Sequence, residues 1–333
     1  MTTHVIGEAS MRKFDAEFRD LTHYILAITE RIWEGRRLDD IYRYYSEPCV
    51  VETPSSVTTS VEAVVNGTGA TLTAFPDRRL LAEDIIWSGD DTSGYLSSHR
   101  IISTMTHLGE GAFGAPTGKR IHVRTIADCW CIENRISHEW LVRDQAAIAK
   151  AIGVASDVLA GLWLANTGGS FSKPTVPPAP GPFMAHIEDS LQARAFATAY
   201  QALWQGDSES ALNAQYDEAV TALTPAETTR YGHRELAEFW SAYRQALTCN
   251  AFAVEHLIER DDAGRSARVA MRWRAQCTHT GPGLLGAATG KPVEVLGITH
   301  AEIVDGRVLR EWILVDEIAL WMQVLSRPFT NAS

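Results

Sequence analysis

Twice in this chain a Glu-Trp pair is followed by an aspartate four residues after the tryptophan, as Trp140 and Asp144 and again as Trp312 and Asp316. In "RISHEWLVRD", strand alternation puts His138, Trp140, Val142 and Asp144 on one face. A carboxyl among such apolar neighbours is poorly solvated, which raises its pKa and suits it to donate or shuttle a proton. The same aspartate is also well placed to cap a helix beginning near Gln145. Both uses stay open at this level. The preceding strand, "GYLSSHRIISTMTH", carries Tyr95, Ser97, His99, Ile101, Ser103, Met105 and His107 on one face. Its counterpart carries Val269, Met271, Trp273, Ala275, Cys277 and His279, with Arg268, Arg272, Arg274 and Gln276 on the other face. The first set is therefore expected to face inward in both halves. His99 is matched by Met271, so the first pocket is the more polar one and the place to look for catalysis.

A two-residue turn at Glu133-Asn134 would set His138 opposite Cys129 and Trp140 opposite Ala127. That register adds His138 and Trp140 to Tyr95 and Met105 as pocket residues. His107 and His279 end their strands, either as hydrogen-bonded loop anchors or as groups facing a substrate. His300, carried through the Asp305-Gly306 turn, pairs with Glu311 and lies on the face opposite Asp316 unless a β-bulge intervenes.

Beside those histidines lies "THLGEGAFGAPTGK", a literal G-x-G-x-x-G, and "THTGPGLLGAATGK" repeats it. A dinucleotide site needs a helix after the glycines, so that its N-terminus meets the pyrophosphate. Here the alternating, β-branched "KRIHVRTIADCWCI" follows. A nucleotide phosphate loop needs four residues between its glycines and Ser or Thr after the lysine. Only three separate Gly114 from Gly118, and Arg120 follows Lys119. The glycines read instead as a strand-to-strand connection needing positive φ or close backbone approach. No cofactor is expected.

The whole chain repeats as these loops do. A shift of 172 carries Thr106-His107 onto Thr278-His279, Glu139-Trp140 onto Glu311-Trp312 and Asp144 onto Asp316, and a shift of 171 carries Trp33 onto Trp204. "NTGGSFSKPTVPPAPGPF" is rich in Gly, Ser and Pro and reads as a semi-extended tether. The expected organisation is domain 1 at residues 1–165, a linker at 166–183 and domain 2 at 184–333. In each half helices come first. Phe18, Leu21, Tyr24, Ile25, Ile28 and Ile32 make a helical stripe, "LDDIYRYYS" and "VEAVVNGTGATLTAF" suggest two more helices, and four strands follow. Helices packed on one side of a curved antiparallel sheet make an α+β domain.

At 333 residues, with 45% hydrophobic residues, the chain can build two cores. A net charge of −11 and the lack of any basic run argue against nucleic acid or an anionic membrane surface as partner. The N-terminal stretch lacks the apolar core of a signal peptide, and no apolar run approaches spanning length. Five scattered cysteines fit no disulfide framework, so a cytoplasmic location is expected. Cys129 and Cys131 alternate onto one strand face as packing residues, and the histidines lack ligand spacing, so no metal is expected.

Taken together, "FPDRRLLAEDIIWSGD", "GYLSSHRIISTMTHLGEGAFGAPTGKR" and "RISHEWLVRD" resemble the SnoaL-like polyketide (ester) cyclases of the nuclear-transport-factor-2-like superfamily of cone-shaped α+β folds. The second half keeps Thr-His, Thr-Gly-Lys and Glu-Trp-Ile-Leu-Val-Asp but lacks Phe-Pro-Asp. The resemblance implies two tandem cones and cofactor-independent acid–base chemistry, such as aldol cyclisation of an ester, on a small, largely apolar carbonyl compound. It assigns the proton transfer to Asp144, with Asp316 its counterpart, while His99 or His107 polarises or orients the substrate. His279, Trp312 and Trp273 are the second-domain counterparts. On that expectation Asp144→Asn abolishes turnover and leaves folding intact. The alternatives are a hydrolase, dehydratase or isomerase using the same pocket, or a non-catalytic small-ligand-binding protein. The two cones are expected to pair sheet to sheet as an intramolecular pseudo-dimer, with the arginine-bearing strand of the second half as the seam, leaving further homodimerisation open.

Overall fold

The structure is a computed structural model and describes residues 11, 13–174, 190–206 and 208–327. The first half runs α1 (Leu21–Trp33), α2 (Asp40–Tyr44), β1 (Tyr45–Glu52), β2 (Val57–Thr58), α3 (Val61–Ala74), β3 (Arg79–Asp90), β4 (Gly94–Thr106), β5 (Arg120–Ile132), β6 (Arg135–Arg143), α4 (Gln145–Ile152) and α5 (Ser156–Ala165). The second runs α6 (Leu191–Gln205), α7 (Ser208–Gln215), β7 (Tyr216–Thr224), β8 (Thr228–Tyr231), α8 (Gly232–Ala246), β9 (Leu247–Arg260), β10 (Ala267–His279), β11 (Pro292–Val304), β12 (Arg307–Val315) and α9 (Glu317–Leu325). The class is α+β, in two tandem copies.

Local chemistry starts the helices where the pattern asks for them. Asp20 accepts the His23 N–H at 2.7 Å and opens α1, which buries Leu21, Tyr24, Ile25, Ile28 and Ile32. Ser60 accepts the Ala63 N–H at 3.3 Å and opens α3. The two sheets share one topology, β2-β1-β6-β5-β4-β3 and β8-β7-β12-β11-β10-β9. Each is mixed rather than antiparallel, because β1 lies parallel to β6 and β7 parallel to β12. The β1 sequence "YSEPCVVE" hides that strand: a proline and two glutamates break its alternation.

Both long hairpins carry the same defect. Glu133 and Asn134 have φ of 51° and 69°, the left-handed pair of a tight two-residue turn. After Cys131↔Ile136 the register jumps to Trp130↔His138, so Ser137 is an extra residue. In the second half Ile303↔Val308 is followed by Glu302↔Arg310, skipping Leu309. One extra residue exchanges the two faces of everything beyond it. Ala127 therefore faces Leu141, and Cys129 faces Glu139, instead of the expected Trp140 and His138. His300 likewise pairs with Trp312, not Glu311.

The bulges aim Trp140, Val142 and Leu314 outward, where Leu96, Ile126, Trp130, Leu296 and Ile298 join them in one core between the sheets. Burying such side chains contributes roughly 1.5–3 kcal/mol each. Around it the arginines of β10 engage the first half as expected of a seam. Arg272 donates to Asp128 at 2.8 Å, Arg274 to Glu52 at 3.0 Å, and Arg268 pairs with Asp84. Arg100 lies 3.6 Å from the Trp312 ring and Arg272 lies 3.6 Å from the Trp140 ring, a pseudo-two-fold pair. Helices close the seam at one end, where Leu159, Ala160 and Leu164 of α5 pack on Ile318 and Met322 of α9. The first residues of the expected tether are docked there too: Phe171 donates its N–H to Ser326 at 2.7 Å, and Lys173 pairs with Glu52 at 2.6 Å. Residues 175–183 of that tether lie outside the described residues.

Candidate functional site

Inside the first cone, between the sheet and α1, α2 and α3, lies a cavity of about 220 Å³. Much of its wall is apolar, from Ile25, Ile28, Ile32, Ile41, Val51, Val64 and Leu141. Into it the sheet also presents Glu139 and Arg143 from β6, Thr125 and Cys129 from β5, and His99 from β4, while Arg78 enters just before β3 and Tyr45 from β1. The face exchange at Ser137 is what turns Glu139 and Arg143 inward.

Burial pushes the Glu139 carboxyl above the usual carboxylate range, and the Tyr45 hydroxyl, donating at 2.9 Å, together with Arg143, works against that rise. Burial, with the charge of neighbouring Arg100, pushes the His99 imidazole down to about 3, so the ring is neutral at ordinary pH. Its Nε2 has no hydrogen-bond partner. Burial also lowers both guanidiniums.

The second cone has the same frame and a different interior. Tyr216 donates to Glu311 at 3.4 Å, repeating the Tyr45–Glu139 pair, and burial pushes Glu311 up to about 8. Where the first half has Thr68, Thr71, Ile101 and Thr125, the second has Trp240, Tyr243, Trp273 and Gly297. The Trp273 ring lies against Gly297 so closely that a β-carbon there would stand 2.1 Å from it. Its indole N–H reaches Thr299 at 3.0 Å, and Trp204, Trp240 and Tyr200 complete the filling.

The candidate site residues named from sequence scatter over the fold. His99 alone enters the cavity. Trp140 and His138 stack on each other at 3.8 Å in the seam, and Trp312 lies there under Arg100. Tyr95 donates to Asp91 at 3.1 Å within the cluster around Tyr24, and Met105 packs with Phe75, Val123 and Ile148. Trp273 fills the second cone. His107 bonds Thr117 at 3.2 Å and His279 bonds Thr289 at 3.0 Å, the contact of a loop anchor, and the Nε2 of each is without a partner. Asp77 of Phe-Pro-Asp grips the same loop start, accepting the Thr106 N–H and hydroxyl at 2.7 Å each.

Asp144 caps α4 by accepting the Ala147 N–H at 3.0 Å. It reaches across the seam as well, accepting the N–H groups of Ala226 and Glu227 at 3.0 Å each. Burial raises its pKa and those three donors oppose the rise. Asp316 caps α9 through Ile318 and Ala319 at 3.0 and 3.2 Å, and burial, reinforced by the Asp144 charge, raises it to about 7. Neither aspartate lines the cavity. Glu139, Arg143, Arg78 and Tyr45 escaped notice as site residues, although Glu139 stands in the repeated Glu-Trp pair.

The profile described as SnoaL-like polyketide cyclase matches residues 23–152 and 194–324, well over half of the chain. The chain belongs to this family, as two tandem copies. A search of curated proteins finds no match. Solved structures resemble one copy each. AclR from Streptomyces galilaeus is 23% identical over 40% of this chain and 80% of its own, with a TM-score of 0.35. IdmH from Streptomyces antibioticus is 20% identical over 40% and 98%, with a TM-score of 0.35. A SnoaL-like polyketide cyclase from Agrobacterium tumefaciens is 17% identical over 40% and 98%, with a TM-score of 0.32. At these values the likenesses carry no functional argument.

Proposed function

We propose that this SnoaL-like protein is a cofactor-independent acid–base enzyme whose working site is the first cone, and that it enolises a small, largely apolar carbonyl compound. One observation carries this reading: a buried, proton-retentive carboxyl, Glu139, shares a cavity with a neutral imidazole, His99, whose Nε2 is unpartnered. A carboxylate in an apolar wall is a stronger base than one in water, and a neutral imidazole can donate to a carbonyl oxygen without protonating it.

In this scheme Glu139 takes the proton from the carbon next to the carbonyl. The C–H electron pair becomes the enolate π-bond and the negative charge moves to oxygen. His99, in the tautomer with its proton on Nε2, donates to that oxygen. Glu139 then returns the proton to a carbon or oxygen of the product. Aldol ring closure, isomerisation and dehydration all pass through this step. Proton transfer is assigned to Glu139 rather than Asp144 because Asp144 is committed to three backbone donors away from the cavity.

Deuterium exchange into the methyl group of acetophenone, followed by NMR in heavy water, tests the reading. The chain should accelerate exchange over buffer, and Glu139→Gln should remove at least about a hundredfold of that rate. Exchange equal to buffer, or unchanged in Glu139→Gln, would contradict it.

A further inference from the structure

Arg78 is 1% exposed, yet it spends only one N–H on the protein, donating to Ser103 at 3.1 Å with the Trp33 ring 4.5 Å from the guanidinium. Its Nε and Nη1 have no partner, and neither has the Nε of Arg143. Both side chains line the cavity. The buried arginines of the seam are treated differently: Arg272 has Asp128, Arg268 has Asp84, and Arg100 has Glu83. A buried guanidinium left without a counter-charge is costly, so a fold that pairs the fully buried arginines of its seam leaves the fully buried Arg78, and the half-buried Arg143 with it, unpaired for a reason.

The surrounding carboxyls do not fill the role. Glu34, near Arg78, gives Oε1 to the Leu80 N–H. Glu139 takes the Tyr45 hydroxyl, and Asp316, whose charge reaches Arg143, caps α9. The second half reinforces the point: Arg78 is matched by Asn250 and Arg143 by Val315, in the cone that aromatic rings fill. The arginines and the open space occur together.

We propose that the cavity binds its ligand as a carboxylate, with Arg78 and Arg143 as the anion anchor. The inference rests on the reading that this cavity is the working site, and it narrows the substrate class to a small enolisable carbonyl compound bearing a free acid. Guanidinium forks match a planar carboxylate. Glu139 is the one carboxyl that lines the cavity with the two guanidiniums, so a monoanion balances the charge of the lining and a phosphate dianion exceeds it. A cavity of about 150 Å³ holds benzene, so this one accommodates a substituted single ring.

Calorimetric titration of the full chain with 4-acetylbenzoate, its methyl ester and inorganic phosphate tests the proposal. The acid should bind at least roughly tenfold tighter than the ester, as charge-assisted hydrogen bonds require. Arg78→Met and Arg143→Met should each erase most of that preference while the melting temperature holds or rises, since each removes a buried unpaired charge. Equal binding of acid and ester, binding of neither, tighter binding of phosphate, or an intact preference in both variants would overturn it. The outcome is separable from that of the enolisation reading. Acetophenone exchange that depends on Glu139, without any preference for the acid, would sink only the carboxylate anchor. Acid-selective binding that needs both arginines, without exchange, would leave the anchor standing and sink the role of Glu139.

Discussion

Glu139 and Glu311 are the same residue in two settings, each hydrogen-bonded by a tyrosine and raised by burial. Among the described residues, Glu139 lines a cavity and Glu311 lies in the aromatic-filled cone. Its ionised form is the base, so exchange should rise with pH through a midpoint above the ordinary glutamate value of 4.5. His99, held near 3, should add no limb near neutrality. Tyr45→Phe removes a donor that favours the carboxylate and should move the midpoint upward; a midpoint that stays or falls would argue against the pair. Glu311 makes a stability prediction of definite sign. A carboxyl raised to about 8 in the fold favours the folded state fully below its unfolded value, and that contribution is lost as pH climbs through the folded one. Glu311→Gln has no proton to lose, so its melting temperature relative to the parent should improve between pH 5 and pH 8. A gap that does not change across this range would refute the assignment.

At the scale of elements, the helices and strands were legible because their periods are strong: the α1 stripe, the alternation of β4 and β5, and the left-handed turns at Glu133-Asn134 and Asp305-Gly306. The class and the duplication followed from them. The site was not legible in the same way, because its placement depends on one residue. Ser137 looks like any other strand residue, yet as the bulge it sends Glu139 and Arg143 inward and Trp140 outward. Counting from the turn without it assigns every side chain of β6 beyond Ser137 to the wrong face. The glycine-rich loops were read correctly as connections. A β-carbon on Gly109 would stand 2.0 Å from the Thr73 carbonyl oxygen, and one on Gly281 1.8 Å from that of Gln245, where the loop crosses the end of α3 or α8. Gly109→Ala and Gly281→Ala should therefore each destabilise by about 2 kcal/mol or more in urea unfolding. Losses of only a few tenths would show that the loop moves aside.

For the molecule as a whole, duplication has let the halves diverge. Both keep the sheet face that forms the seam, while one interior holds a largely apolar cavity with a few polar groups and the other is filled with aromatic rings. The seam is held by buried ionic contacts whose worth differs across the pseudo-two-fold. Arg272→Met strands Asp128 without a guanidinium, leaving it His256 at 3.4 Å and the Ser98 hydroxyl, and should cost about 3–5 kcal/mol. Arg100→Met leaves a neutral His300, with Glu83 still held by Arg124 at 2.8 Å, and should cost clearly less. Equal losses in denaturant titrations would show that the two sides of the seam are equivalent. The seam also explains the aspartate that sequence points to first. Asp144 ties the end of β6 to the Ala226-Glu227 turn of the other domain, which makes it a joint between cones. The most direct test compares acetophenone exchange in folded Asp144→Asn and Glu139→Gln, each checked by circular dichroism. Exchange retained in Asp144→Asn and lost by about a hundredfold or more in Glu139→Gln is the predicted result, and the reverse pattern would contradict the placement of the working site in the first cone.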